Sequence, residues 1–265
     1  MNPATRDSSS TKRIRTHLLL LPPFSQIIYS GLTAVPFKIG IEGLRLASIP
    51  IPRTAQPSND LTWRAIALCE RLTSVALLTV ASPVLVGSAI AVSLLSGRTP
   101  LIAHRRVGWN GAPLWMLKLR TMWGGEVDKG PRSRGWIEYI QDETGPECKE
   151  ASDPRVTSRF ASFCRRHSID ELPQLWHVVR GEMALVGPRP LTAAELRRYY
   201  GEDAEEMLWA KPGIAGLWQV SGRNRLTYRE RRELDLQLVR NRSVGMYLRI
   251  LLRTLPEVCR GSNSW

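Results

Sequence analysis

Two adjacent carboxylates, Asp170 and Glu171, stand in "SIDELPQLWHVV", residues 168–179. Arg159, Arg165 and Arg166 precede them, and Arg189 follows between two prolines in "GPRP". Proline fixes φ and restricts its neighbour, so Arg189 leaves a stiff backbone. Acids beside arginines suit phosphoryl chemistry. A carboxylate can attack phosphorus or hold a metal, and guanidiniums neutralise phosphate oxygens. Mg²⁺ would be the natural ion, because it prefers oxygen ligands and commonly bridges phosphates. A structural reading competes with this one. Ser168 and Glu171 fit the S-x-x-E capping box, and acids suit the positive end of a helix dipole.

The elements that must position these groups can be read around them. Leu172, Leu175, Trp176 and Val179 fall at helical spacing and predict an amphipathic helix ended by Gly181. With Ser168 as cap, Pro173 would sit at N5 and lose a helical bond; with Asp170 as cap it sits at N3, where its missing N–H does no harm. The proline therefore favours Asp170 as the cap and leaves Glu171 for another task. Upstream, "HRRVGWNGAPLWMLKLRTM" reads as a strand, an Asn110-Gly111 turn and a second strand. Lys118 and Arg120 are two apart and project from one face, where they could grip a diphosphate; a solvated basic strand is the structural alternative. Residues 123–152 read as loop with one short helix near residues 136–141.

The formal charge of +13 and pI near 10.2 call for an anionic partner: nucleic acid, anionic lipid or a phosphorylated small molecule. No stripe of interleaved aromatic and basic residues supports nucleic acid. Cys69, Cys148, Cys164 and Cys259 form no C-x-x-C and no zinc spacing, and read as free thiols of a reducing compartment. Residues 72–97, "LTSVALLTVASPVLVGSAIAVSLLSG", carry no charge. As a straight helix they would reach ~39 Å, longer than the ~30 Å hydrocarbon core. Arg64 and Arg71 lie before the run, and Arg98, Arg105 and Arg106 after it, so cytoplasm-favouring charge flanks both ends. Ser82-Pro83 interrupts its middle; proline removes a backbone bond, and a serine hydroxyl can satisfy the freed group. A helix that bends and leaves by the same face, a kinked full span and a buried core helix all remain open on these grounds. Near the C-terminus, Tyr247, Leu248, Leu251, Leu252 and Leu255 repeat at helical spacing beside Arg249 and Arg253, as in a helix lying in the headgroup zone or in an ordinary packing helix. Residues 1–60 read as an accessory arm, with apolar runs too short for a signal peptide or a span.

"SIDELPQLWHVVRGEMALVGPRP", with "KLRTM" before it and "KPGIAGLWQVSGRN" after it, closely resembles the bacterial sugar transferase family, the monotopic polyprenyl-phosphate hexose-1-phosphate transferases or phosphoglycosyl transferases. The resemblance implies an α+β, mainly helical fold: a re-entrant membrane helix broken at Ser82-Pro83 within residues 61–98, and a cytosolic catalytic domain over residues 99–265 with a small β-hairpin or sheet and interfacial amphipathic helices. It implies transfer of a sugar 1-phosphate from a UDP-sugar to undecaprenyl phosphate with release of UMP, an early membrane step of surface-glycan synthesis. It makes Asp170 the nucleophile and Glu171 its helper, both at a Mg²⁺ site, and sets Arg165 and Arg189 on phosphate. Lys118 and Arg120 are further expected substrate contacts; in "KPGIAGLWQVSGRN" the glycines would let backbone approach a ligand and Arg223 would meet the nucleotide, with a structural hairpin as the alternative reading. The implied setting is the cytoplasmic face of the bacterial inner membrane, with membrane lipid as partner, no nucleic acid, and a homodimer compatible with it. A catalytically inactive membrane scaffold is the alternative reading. The family often has Asn at the position of His177, Asp at Glu182, Ser at Ala184 and Thr at Ala215; these departures touch substrate identity rather than the acids.

Overall fold

One 36-residue helix, α1 (Leu61–Ser96), dominates the N-terminal side of the fold. The computed structural model describes residues 61–123, 135–141, 156–222 and 226–260. The expected accessory arm and Arg223 lie outside them. In place of a break at Ser82-Pro83, α1 stays helical throughout. Pro83 has no N–H for the Thr79 carbonyl four residues back. The Ser82 hydroxyl donates to that carbonyl instead, at 2.8 Å, and the Thr79 hydroxyl donates to the Val75 carbonyl at 2.9 Å. Local side-chain donors thus carry the helix past its proline. A narrow stripe including Glu70, Ser74, Ser88 and Val92 is buried, while Leu72, Val75, Val80, Val84, Ile90 and Leu94 stay exposed. By length and composition α1 could cross a membrane.

Strands β1 (Leu101–Val107) and β2 (Pro113–Leu119) pair antiparallel, Leu101 opposite Leu119 and Val107 opposite Pro113. Their connection is the expected Asn110-Gly111 turn, with positive φ at both residues (52° and 76°). On the other side of β1, β3 (Ile137–Ile140) pairs parallel. This strand replaces the short helix expected near residues 136–141. Ile-Glu-Tyr-Ile is β-branched and aromatic enough to take a strand once a distant partner is available, and Tyr139 packs edge-on against Trp115, 5.1 Å between centroids.

Helix α2 (Arg159–Arg166) starts at Ser158, whose hydroxyl accepts the Phe160 N–H at 3.1 Å. A 3₁₀ turn, Ile169–Gln174, then runs directly into α3 (Leu175–Arg180), ended by Gly181 at φ 75°. Neither expected cap forms. Ser168 is left-handed (φ 55°) with no side-chain cap bond, and Asp170 sits inside the 3₁₀ turn. The tighter turn absorbs Pro173, which is buried. The helix buries Leu175, His177 and Val178 and leaves Trp176 half exposed, so the apolar stripe is shifted from the one expected.

Beyond α3, β4 (Ala184–Val186) and β5 (Gly213–Ala215) form a two-stranded parallel sheet. Gly187 and Gly213 meet back to back: a Cβ on Gly213 would strike the Gly187 nitrogen, and one on Gly187 would strike the Lys211 carbonyl oxygen. The glycines of "KPGIAG" therefore serve a backbone–backbone approach, rather than a hairpin. Between these strands lie α4 (Ala193–Glu195), continued by a π-type turn Leu196–Tyr200, and α5 (Ala204–Met207). After β5 come α6 (Leu217–Ser221), α7 (Tyr228–Arg240) and α8 (Val244–Arg260). Thr192 and Thr227 open α4 and α7 with full capping boxes.

Helix α1 packs against the rest of the chain through two separate clusters, one near each end. Trp63 and Ile66 pack with Val186, Tyr247 and Ile250. Val92 and Ala89 pack with Leu119 and Cys164. Between them, buried Glu70 accepts the Leu185 N–H and the Tyr247 hydroxyl, each at 2.8 Å. On α8 the expected stripe is divided: Tyr247 and Ile250 are buried, whereas Val244, Leu248, Leu252 and Leu255 face outward.

Candidate active site

Asp170 and Glu171 are both half-buried, and their neighbours differ. Lys118, from β2, donates to Glu171 Oε1 at 3.1 Å, an ion pair that ties the 3₁₀ turn to the strand. Asp170 lies close enough to Cys164 for its charge to act on the thiol. Burial first, then that carboxylate, pushes the Cys164 thiol up to about 11, against a hydrogen bond with Ser88 of α1. Asp170 is thereby placed near the second half of the apolar helix. Arg165 occupies the last turn of α2, half-buried and next to Cys164.

Arg120 departs from the expected shared face with Lys118. The strand ends at Leu119, so its alternation no longer governs Arg120. Arg120 is buried; its Nε donates to the Thr99 carbonyl at 2.9 Å and its Nη2 contacts Glu138 of β3. That network fastens β3 to the connection between α1 and β1, away from the Lys118–Glu171 pair.

Arg189 projects from the turn after β4. Its backbone N–H donates to the carboxylate of Asp235 on α7, and its guanidinium sits 5.7 Å from the Trp218 ring centre. Asp235 is 1% exposed and also accepts the Tyr200 hydroxyl at 3.0 Å. Burial raises it to about 7, opposed by the Tyr200 bond, the charge and N–H of Arg189, and the charge of Arg231. The Arg231 guanidinium stands 5.0 Å from the centre of the same Trp218 ring. Sequence reasoning missed Asp235. It reads as one acid in the charged run "RERRELD", and only its place on the buried side of α7, beside Leu236 and Leu238, distinguishes it.

His177 and Glu182, two of the departures, are partners of each other. Buried His177 accepts the Leu117 N–H on Nε2 at 3.1 Å, so Nδ1 carries the proton and donates to Glu182 Oε2 at 2.6 Å. Glu182 also accepts from Arg180 at 2.7 Å. The His177 hydrogen bond foremost, with the Arg180 charge, holds Glu182 below the usual carboxylate range. The pair braces α3 against β2 one residue from Lys118. Ala184 and Ala215 are buried at the ends of the β4–β5 pairing.

Among the described residues no group of three or more His, Cys, Asp or Glu side chains gathers as a metal cage. A paired carboxylate site fits Mg²⁺ in its other mode, with one or two acids and the remaining ligands from substrate phosphates and water.

A helix long and apolar enough to cross a membrane, two adjacent acids and the PRP turn thus belong to one fold of helices and small sheets. The model of the family described as bacterial sugar transferase matches residues 62–261, and the chain belongs to that family. It is 40% identical over 212 residues to the UDP-galactose-lipid carrier transferase of Erwinia amylovora, covering 78% of this chain and 44% of that protein. It is 38% identical over 220 residues to the exopolysaccharide production protein ExoY of Rhizobium meliloti (strain 1021), covering 82% and 90%. A UDP-glucose:undecaprenyl-phosphate glucose-1-phosphate transferase of Caulobacter vibrioides is 36% identical over 226 residues, covering 80% and 78%. The chain thus spans less than half of the Erwinia protein and most of the other two.

Proposed function

We propose that the chain moves a sugar 1-phosphate from a UDP-sugar to undecaprenyl phosphate, releasing UMP, through a covalent phosphosugar on Asp170. The observation that carries this reading is the differing setting of the two adjacent acids: Glu171 is paired with Lys118, and Asp170 lies near Cys164 and the apolar helix. An Asp170 carboxylate oxygen attacks the sugar-bearing phosphorus. The phosphorus–oxygen bond to UMP breaks, and UMP leaves with that electron pair. An oxygen of the lipid phosphate then attacks the same phosphorus, the aspartyl–phosphorus bond breaks, and the carboxylate is regenerated. Two displacements replace one. Arg165 and Arg189 neutralise phosphate oxygens, and Lys118 holds Glu171 in place as the assisting acid. Mg²⁺ bound by Asp170 and Glu171 would supply further neutralisation of the donor diphosphate.

The relatives' names support this assignment, as does the way α1 meets the domain. Trp63 and Ile66 at the start of α1 pack in one cluster and Ala89 and Val92 toward its end in another, which supports a helix that bends at Pro83 and returns to the cytoplasmic side over a full crossing. The wide exposed apolar face of α1 and the outward leucines of α8 would lie in that membrane. Asp170→Asn tests the chemistry: UMP release from a panel of UDP-sugars and the covalent adduct should both vanish. Full turnover in the variant would remove Asp170 as nucleophile.

A further inference from the structure

A second cationic site lies apart from the Asp170–Glu171 pair. Gly187 and Pro188 after β4, Lys211 before β5, and Arg242, Ser243 and Tyr247 at the start of α8 line a small cleft partly open to solvent. Lys211 and Arg242 are half-buried there. Burial, then the charges of Arg71 and Arg242, draw Lys211 below the usual lysine range, and burial does the same to Arg242. Among the described residues neither makes a hydrogen bond or ion pair; each instead faces a ring, Lys211 at 5.2 Å from Trp109 and Arg242 at 3.9 Å from Trp63. Glu70 is the acid acting on both, and it already accepts from Leu185 and Tyr247.

Arg71, Lys211 and Arg242 against Glu70 leave two positive charges unmatched in a partly desolvated place. Ring faces attract cations but do not neutralise them. A dianionic group would. Ser243 accepts the Met246 N–H at 3.2 Å, which leaves its own hydroxyl proton as a further donor beside the two cations. Two cations and a hydroxyl match the charge and acceptor count of a phosphate monoester, which carries about −1.5 to −2 near neutrality. The neighbouring outward face of α8, Val244, Leu248, Leu252 and Leu255, would seat a hydrocarbon chain attached to that phosphate.

We propose that the pocket between Lys211 and Arg242 binds a phosphate monoester. Only the choice of a lipid phosphate as leading probe rests on the proposed transfer reaction. The test measures equilibrium binding by calorimetry, without any sugar donor, to the full chain in nanodiscs of neutral phosphatidylcholine. The probes are a short prenyl phosphate, short-chain phosphatidic acid and inorganic phosphate. Lys211→Met with Arg242→Met should weaken binding about 100-fold, at roughly tenfold for each lost charge-assisted contact. Lys211→Arg with Arg242→Lys keeps both charges and should bind within a few-fold of wild type, which separates charge loss from misfolding. Prenyl phosphate or phosphatidic acid binding far more tightly than inorganic phosphate identifies a lipid source. Equal binding of all three identifies the phosphate alone as the recognised group. Unchanged binding in the double methionine variant, or no binding of any probe to wild type, overturns the site. Repeating the measurement in Asp170→Asn keeps the result separate from catalysis, since loss of turnover there should leave binding intact.

Discussion

Asp235 makes the stability of the domain depend on pH in an unusual direction. Its carboxyl is moved from 3.8 to about 7 by burial, while Tyr200, Arg189 and Arg231 work against the shift. The folded chain therefore retains a proton that the unfolded chain has released between about pH 4 and pH 7. Stability present below pH 4 is lost as pH rises through that window. At ~1.36 kcal/mol per unit the full displacement bounds the effect at ~4 kcal/mol, and relaxation of the two arginines toward the new charge would bring it to ~2–4 kcal/mol. Asp235→Asn keeps a carbonyl to accept the Tyr200 hydroxyl and removes the titration. Tyr200 itself is pushed upward by burial and by Asp235, so its hydroxyl remains a donor throughout. Chemical denaturation of both proteins in the same detergent, from pH 5 to pH 8, reads the difference. Between pH 5 and pH 8 the advantage of the asparagine variant should grow by ~2–3 kcal/mol, the part of the loss below pH 5 having already occurred. A flat difference, or a wild type that gains on the variant with rising pH, would mean that Arg189 and Arg231 hold Asp235 as a settled anion, and the argument fails.

Gly213→Ala should cost ~3 kcal/mol or more and leave little folded protein, because its Cβ would meet the Gly187 backbone rather than a side chain that can move. Gly245→Ala on α8 is the matched control, with nothing within 4 Å of the added carbon, and protease resistance compares the two. His177→Ala should destabilise by ~1–3 kcal/mol by leaving the Leu117 N–H without its acceptor. It should also slow UMP release by loosening β2 beside Lys118, and an unchanged rate would separate His177 from the site.

The sequence made the local elements readable where one short segment decides them. Asn110-Gly111 demands positive φ, and the hairpin formed there; Gly181 ended α3 for the same reason. The hydroxyl of Ser82 found the carbonyl freed by Pro83, although the helix it rescued did not break. Misreadings came where distant partners chose the outcome. Ile137–Ile140 became a strand because β1 offered an edge, and Arg120 turned inward to Thr99 and Glu138. The 3₁₀ turn over Ile169–Gln174 was hidden because a capping box and a 3₁₀ start share the same residues, and only tertiary packing separates them. Of the site, adjacent acids and nearby arginines were legible as chemistry. Their binding partners were not: Lys118 and Glu171 lie 53 positions apart, Arg189 meets Asp235 across three helices, and no periodicity encodes such pairings.

The burial of Glu70, Ser88 and Val92 against the rest of the chain has a practical consequence. Helix α1 is a wall of the catalytic core, so trimming it away to obtain a soluble fragment would strip the Leu185 N–H and the Tyr247 hydroxyl of their acceptor and uncover Leu119 and Cys164. Such a fragment should aggregate instead of retaining a weakened activity. Handling this protein in solution means carrying its apolar helix along, and a detergent that competes for the inner stripe of α1 would act as a denaturant of the active site.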